Sequence, residues 1–321
     1  MQFEDLEVFI LTYNRSKYLQ IQLESICKQT ATGFKIIILN NASTDNTLDV
    51  IAGVKEKYPE RKIEVITHKE NIGNRGNFKM SQKLASTKYC AIFHDDDCFN
   101  PEYIETAMKC FYKHPEVGMI ASDCTAMFNV NDNNWERQSK SYLLYNSDNF
   151  ALLNLYGTRQ NFASVIYKTD VYKSTIIHDD LCGKIWDLPF MFEVGAKCKT
   201  ILLEGKYIRY RLSAEQDSND YATGPFPEQI INALCLCKNS ACKYKLYVLI
   251  LLYIFTKNLY YSLKLYECYS YTWDTFIIHI KKLNLFSTKE LLLLKILNHN
   301  KVRKYLFKII NKKKNYIRNF I

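Results

Sequence analysis

The chain has 321 residues, enough for one large domain or a domain with an appendage, and its 48% hydrophobic and 24% charged content excludes an intrinsically disordered chain. The net charge of +10 is unevenly spread: residues 240–321 hold sixteen Lys/Arg against only Glu267, Asp274 and Glu290, while the remainder is close to neutral. The longest apolar run, Leu246 to Phe255, is too short to cross a bilayer, and the eleven scattered cysteines show no paired C-x-x-C spacing, so they read as reduced thiols, not zinc knuckles.

Met1-Gln2-Phe3-Glu4-Asp5 is acidic and runs straight into a strand-like segment, which is unlike a signal peptide, so a cytoplasmic location is expected. The β-branched and aromatic run Glu7 to Leu11 predicts a first strand, ended by Tyr13-Asn14-Arg15. Tyr18 to Lys28 spaces Leu19, Leu23 and Ile26 as a helix does. Phe34 to Leu39 is a second strand, apolar enough to be covered on both faces. The turn-forming cluster Asn40 to Thr47 leads into a helix over Leu48 to Tyr58. Strands follow at Lys62 to Thr67, Tyr89 to Phe93 and Val117 to Ala121, with a helix over Gly76 to Ser86 between the first two. Alternation of this kind predicts βαβ units and a Rossmann-type, mostly parallel sheet flanked by helices. Ligands of such sheets bind at the carboxyl ends of the strands, where every polar tract named so far is located.

Beyond 122 the pattern loosens. Asn129 to Asn134 reads as a polar loop, and Phe162 to Tyr167 and Ile201 to Arg211 as strands. After 240 the chain is basic, aromatic and without Gly or Pro, which predicts a helical extension. The expected organisation is a catalytic domain over 1–235, comprising a nucleotide-binding half (1–120) and an acceptor-binding half (121–235), followed by the extension over 236–321.

His94-Asp95-Asp96-Asp97 is the sharpest chemical signal. Adjacent carboxylates after a buried strand repel one another unless cations neutralise them, and hard oxygen donors suit Mg²⁺ or Mn²⁺ on a diphosphate. Helix capping before Pro101 accounts for one such Asp but not for three. Asn71-Ile72-Gly73-Asn74-Arg75-Gly76-Asn77 offers glycines for close backbone approach and Arg75 for phosphate. No GxSxG, P-loop or GxGxxG motif supports a hydrolase, kinase or dinucleotide enzyme.

The motifs FILTYNR, ILNNASTDNT, NIGNRGN and FHDDDCFNPEY, in this order, resemble those of the family-2 glycosyltransferases of GT-A fold over about the first 115 residues. The resemblance implies an inverting, metal-dependent transfer from a UDP- or dTDP-linked sugar to a glycan or lipid-linked saccharide, in surface polysaccharide biosynthesis. It implies a nucleotide-sugar site of Thr12, Tyr13, Asn14, Arg15, Asn41 and Asp45, extended by Asn71, Arg75, Asn77, His94 and Asp95, with Asp96 and Asp97 on the metal. Asn40-Asn41 stands where many members carry an Asp pair, and His94 where the first carboxylate of the metal motif is usual. By the same resemblance Asp187 is the general base, with Asp179 and Asp180 as rivals. Tyr210-Arg211-Leu212-Ser213 resembles a Tyr-Arg-x-His segment, with Arg211 or Gln216 the substitutes for the absent histidine.

The basic aromatic extension reads either as a helical layer on an anionic membrane surface or as a bundle packed on the catalytic domain. A nucleic-acid partner is not expected, since no recognised module is present. Two further readings stand beside the transferase: a sugar-1-phosphate nucleotidyltransferase, which lacks its Gly-rich basic loop here, and a non-catalytic partner or scaffold subunit.

Overall fold

A computed structural model describes residues 1–127, 135–147, 162, 165–183 and 186–212, with isolated positions at 232, 236, 281, 287–289 and 291–292. The chain divides into two compact units. The first comprises Met1–Asn146, Thr158–Thr175 and Lys197–Ala214; the second comprises Ser147–Gly157, Ile176–Ala196 and Glu215–Ile321. The expected loop at 129–134 and the expected helical extension fall almost wholly outside the described residues.

The first unit is built on a mixed sheet whose described strands run in the order β3-β2-β1-β4-β8-β6-β9-β5, with β7 paired to β9. Its parallel half consists of β1 (Leu6–Thr12), β2 (Lys35–Asn40), β3 (Lys62–Thr67) and β4 (Tyr89–His94). Helices α1 (Ser16–Cys27), α2 (Thr47–Lys57) and α3 (Gly73–Leu84) make the crossovers. Period-two strands buried on both faces sort their side chains between two layers. Leu6, Val8 and Ile10 of β1 and Ile36 and Ile38 of β2 join one core with Leu19, Leu23 and Ile26 of α1 and Ile51 and Val54 of α2. Phe9, Ile37 and Leu39 are equally buried but belong to the opposite face, where Phe78 of α3 packs edge-on to Tyr172. Each fully buried side chain of this kind contributes about 1.5–3 kcal/mol.

The other half is less regular. It comprises β5 (Cys98–Phe99), α4 (Tyr103–Lys113), β6 (Val117–Met127), β7 (Tyr142–Tyr145), β8 (Val165–Lys168), α5 (Thr169–Ser174) and β9 (Lys199–Arg211). Strand β8 inserts antiparallel between β4 and β6, which the sequence periodicity does not announce. The long β6–β9 pair is parallel, with register shifts at Val117/Met119 and around Asp123. Gly118 sits at the first shift, where a Cβ would collide with Cys198 Cβ and stand 2.7 Å from its Sγ. The structure adds β5 and β7 to the expected strands and extends the fifth expected strand to Met127.

In the second unit the described chain forms the short helix α6 (Asp179–Cys182) and the helix α7 (Asp187–Lys197). Trp186 meets Phe190 edge-on, and Asn232 donates to the Leu181 carbonyl at 2.6 Å. Among the described residues no helix is long and apolar enough to cross a membrane. Cys27, Cys90, Cys98 and Cys110 are buried and Cys124 is half-buried, and these five form no disulfide in the structure.

Candidate functional site

Strand register brings the predicted tracts to one edge. Thr12 pairs with Asn40, Asn40 with Thr67, and Leu11 with His94, so the parallel strands stop at a common level. The loops after them therefore share the carboxyl edge of the sheet. Asn14 and Ala42 adopt left-handed backbone there, with φ of 51° and 59°. That region is costly for alanine, so the loop after β2 is held in shape by its surroundings.

The predicted nucleotide residues first organise these loops. Asn14 N–H donates to Ser43 Oγ at 2.9 Å, and its Oδ1 accepts from Thr44 N–H at 2.8 Å, which joins the first two loops. Asp45 lies between two helix starts, accepting from Ser16 N–H at 3.1 Å and from Thr47 N–H at 3.1 Å. A carboxylate placed so is favoured by both helix dipoles. Although partial burial works against it, the bonds from Thr47 and Ser16 hold its pKa below the usual aspartate value. Asn41 donates to Asn71 Oδ1 at 2.8 Å and accepts from Ile72 N–H at 2.9 Å, while Asn71 also accepts from Gly73 N–H at 2.8 Å. Asn77 is buried, donating to the Leu39 carbonyl and bonded through Oδ1 to His68 Nε2, each at 2.9 Å. Its carboxamide is thus engaged beneath the edge, a placement that its motif position does not convey. Tyr13 is exposed, and Arg75 lies in the first turn of α3, half-buried.

The acidic tract turns directly out of β4. One donor atom each from His94, Asp96 and Asp97 lies within 4.8 Å of the others. The expectation assigned His94 to the nucleotide; the geometry groups its ring with two carboxylates. Burial lowers the His94 pKa, and the Arg15 charge adds to this against the pull of Asp96, which favours the neutral imidazole. Burial, with the Asp96 charge beside it, pushes Asp95 up to about 7 against Thr12 and Arg15. Burial and Asp96 likewise raise Asp97 well above the usual aspartate range, opposed by the Arg211 amide. Acids crowded to this degree gain from a cation in their midst, and a nitrogen with two carboxylates is a donor set that Mn²⁺ and other divalent ions accept. The residues present therefore fit a divalent metal.

In the sequence, resemblance alone marks Arg211, as one substitute for an absent histidine. The structure places it on the acidic loop: its N–H donates to Asp97 Oδ1 at 2.9 Å and its Nε–H to the Asp96 carbonyl at 2.8 Å. Gln216 and Ser213 lie outside the described residues. Phe162, whose ring lies 6.0 Å from that of His94 and 5.5 Å from Phe78, also joins the site from a distant segment. No local periodicity signals either residue.

Asp187 opens α7 in the second unit, half-buried, with Oδ1 accepting from Leu188 N–H at 3.0 Å. Burial raises its pKa to about 6. Asp179 and Asp180 stand in α6, and their side chains lie outside the described set.

The sheet is parallel through β1 to β4, and at their carboxyl edge His94, Asp96 and Asp97 form a group that could hold a divalent cation. Residues 7–174 match the model of glycosyl transferase family 2, and the chain belongs to that family. Relatives include an uncharacterized glycosyltransferase of Haemophilus influenzae, 25% identical over 55% of this chain and 46% of its own length. Another, from Nostoc, is 30% identical over 36% of this chain and 35% of its own length, so the chain matches less than half of these relatives. Among solved structures, S. aureus TarS aligns over 98% of this chain and 54% of its own, with 16% identity and a TM-score of 0.65. The mannosyltransferase PcManGT from Pyrobaculum calidifontis, solved with GDP-Man and Mn²⁺, aligns over 94% and 83%, with 11% identity and a TM-score of 0.57. These likenesses establish the GT-A type of fold.

Proposed function

We propose that the protein is an inverting glycosyltransferase moving a sugar from a UDP- or dTDP-linked donor to a glycan or lipid-linked saccharide, in surface polysaccharide biosynthesis. The observation that carries this is the His94, Asp96 and Asp97 cluster, with donor atoms within 4.8 Å at the carboxyl edge of a family-2 sheet. TarS has been solved with UDP-GlcNAc and PcManGT with GDP-Man and Mn²⁺, which supports a nucleotide-sugar donor here. Asp96 and Asp97, with His94, would hold Mg²⁺ or Mn²⁺. Bound there, the metal supplies neutralisation of the charge that builds on the departing diphosphate.

The chain's own residues do the rest. Tyr13, Arg15 and Arg75 would contact the nucleotide, and the bonds of Asn14, Asn41, Asp45 and Asn71 tie together the loops that support it. Asp187 takes the proton from the acceptor hydroxyl at its carboxylate as the new bond forms. The basic extension over 236–321 carries the enzyme onto an anionic membrane surface on the cytoplasmic side.

Calorimetry against UDP, dTDP, GDP and CMP, with and without Mn²⁺, tests the reading; it is lost if no nucleoside diphosphate shows metal-dependent binding. In the same assay Asp187→Asn retains nucleotide binding, while transfer falls at least about 100-fold. Turnover that survives this change moves the base to Asp179 or Asp180. Because burial lifts Asp187 from 3.8 to about 6, the unaltered enzyme loses rate as pH falls through about 6 and is level above it. The sign for stability is opposite: the folded state holds this proton more tightly, so the group costs stability as pH rises from 3.8 to about 6.

A further inference from the structure

The loop that carries Asp95, Asp96 and Asp97 is crowded with like charge, and its shape depends on groups outside it. Arg211 is the last residue of β9 and is separated from Asp97 by 114 positions in sequence. It is 3% exposed. Its backbone N–H fixes Asp97 Oδ1, which sets the rotation of that carboxylate, and its Nε–H fixes the Asp96 carbonyl, the peptide from which both side chains project. The guanidinium carbon stands 4.7 Å from the ring centroid of Tyr18. Tyr18 lies in the first turn of α1, directly after the Thr12 to Arg15 tract. One side chain therefore joins the acidic loop, the end of β9 and the helix that follows the first nucleotide loop.

We propose that Arg211, seated on Tyr18, is a positioning residue that orients Asp96 and Asp97 for the divalent metal. The inference rests on the metal reading given above. Arginine suits the task where lysine does not. Its planar fork can lie flat on an aromatic ring and still direct Nε–H in its own plane at a carbonyl, whereas a lysine ammonium serves one contact or the other. The backbone N–H and the Nε–H of Arg211 both bond the acidic loop.

The test is Mn²⁺ binding followed by the electron paramagnetic resonance signal of the unbound ion, with Mn²⁺ titrated alone and again with UDP and with GDP. In Arg211→Lys the Mn²⁺ dissociation constant rises about tenfold, the size expected when a hydrogen bond from a charged group is lost, while metal-independent UDP affinity is unchanged. Unchanged Mn²⁺ affinity in the folded variant overturns the proposal. So does an equal loss of UDP affinity without metal, which would make Arg211 a phosphate ligand. If Arg211→Lys does not fold, Tyr18→Leu and Tyr18→Phe decide: Leu weakens Mn²⁺ binding about threefold or more and Phe restores it, because the ring supplies the cation–π seat. Equal affinities in that pair overturn the clamp. Failure of the unaltered protein to bind Mn²⁺ under every condition strikes the metal reading itself, an outcome distinct from any variant result.

Discussion

The parallel half of the sheet and its mixed half solve the same problem, holding a polar edge on an apolar core, in different ways. Strands β1 to β4 are joined by short local crossovers, and their loops are tied by side chains that cap neighbouring backbone: Asn14 to Ser43 and Thr44, Asp45 to Ser16 and Thr47, Asn41 to Ile72. Strands β6, β8 and β9 meet from far along the chain, with a register shift at Gly118 and one arginine reaching back to the acidic loop. Polar bonding shapes the first half; backbone fit and long-range placement shape the second. Defects should differ accordingly: steric intrusion is worst in the mixed half, and loss of a carboxamide is worst in the parallel half.

The largest effect on stability is expected at Gly118. Gly118→Val drives a side chain into Cys198 and Val171 and lowers unfolding free energy by about 3 kcal/mol or more, measured by urea titration. Cys198→Gly in the same chain should recover more of the loss than Cys198→Ala, because both the Cβ and the Sγ of Cys198 stand in the way. Equal stability of Gly118→Val and the unaltered protein would break the contrast between the halves.

Next comes Asn77→Ala, which leaves the Leu39 carbonyl and His68 without their carboxamide partner. A cost of about 1–3 kcal/mol is expected, with nucleotide affinity falling only through loss of the fold. Should affinity fall while the melting temperature stays put, Asn77 touches the nucleotide after all. The smallest effect belongs to Ala42→Gly. It relieves the left-handed strain at φ 59°, but glycine loses more chain entropy on folding, so the net gain is at most about 1 kcal/mol.

Much of the first half was legible because its information is local. A run such as Phe34 to Leu39 declares a strand covered on both faces, and the turn cluster that follows marks where it must end. Four such runs in alternation with helices imply a parallel sheet and place the acidic tract at its carboxyl edge. The acidic tract was legible for the same reason, since its members are neighbours in the chain. Asn41, Asn71 and Asn77 were legible as a polar set, yet not as a framework bonded largely to itself, because a side chain's partner is decided in space.

By itself, then, the amino-acid sequence determined the parallel fold of the first hundred residues, the family resemblance and the carboxylates that could hold a cation. Hydrophobic period and turn chemistry act over a few residues, so they are written where they work. The tertiary structure alone decided that β8 inserts antiparallel, that Gly118 must lack a side chain, and that Arg211 reaches the acidic loop. Each of these depends on which distant strands come to lie side by side, a choice made by burial of the whole core.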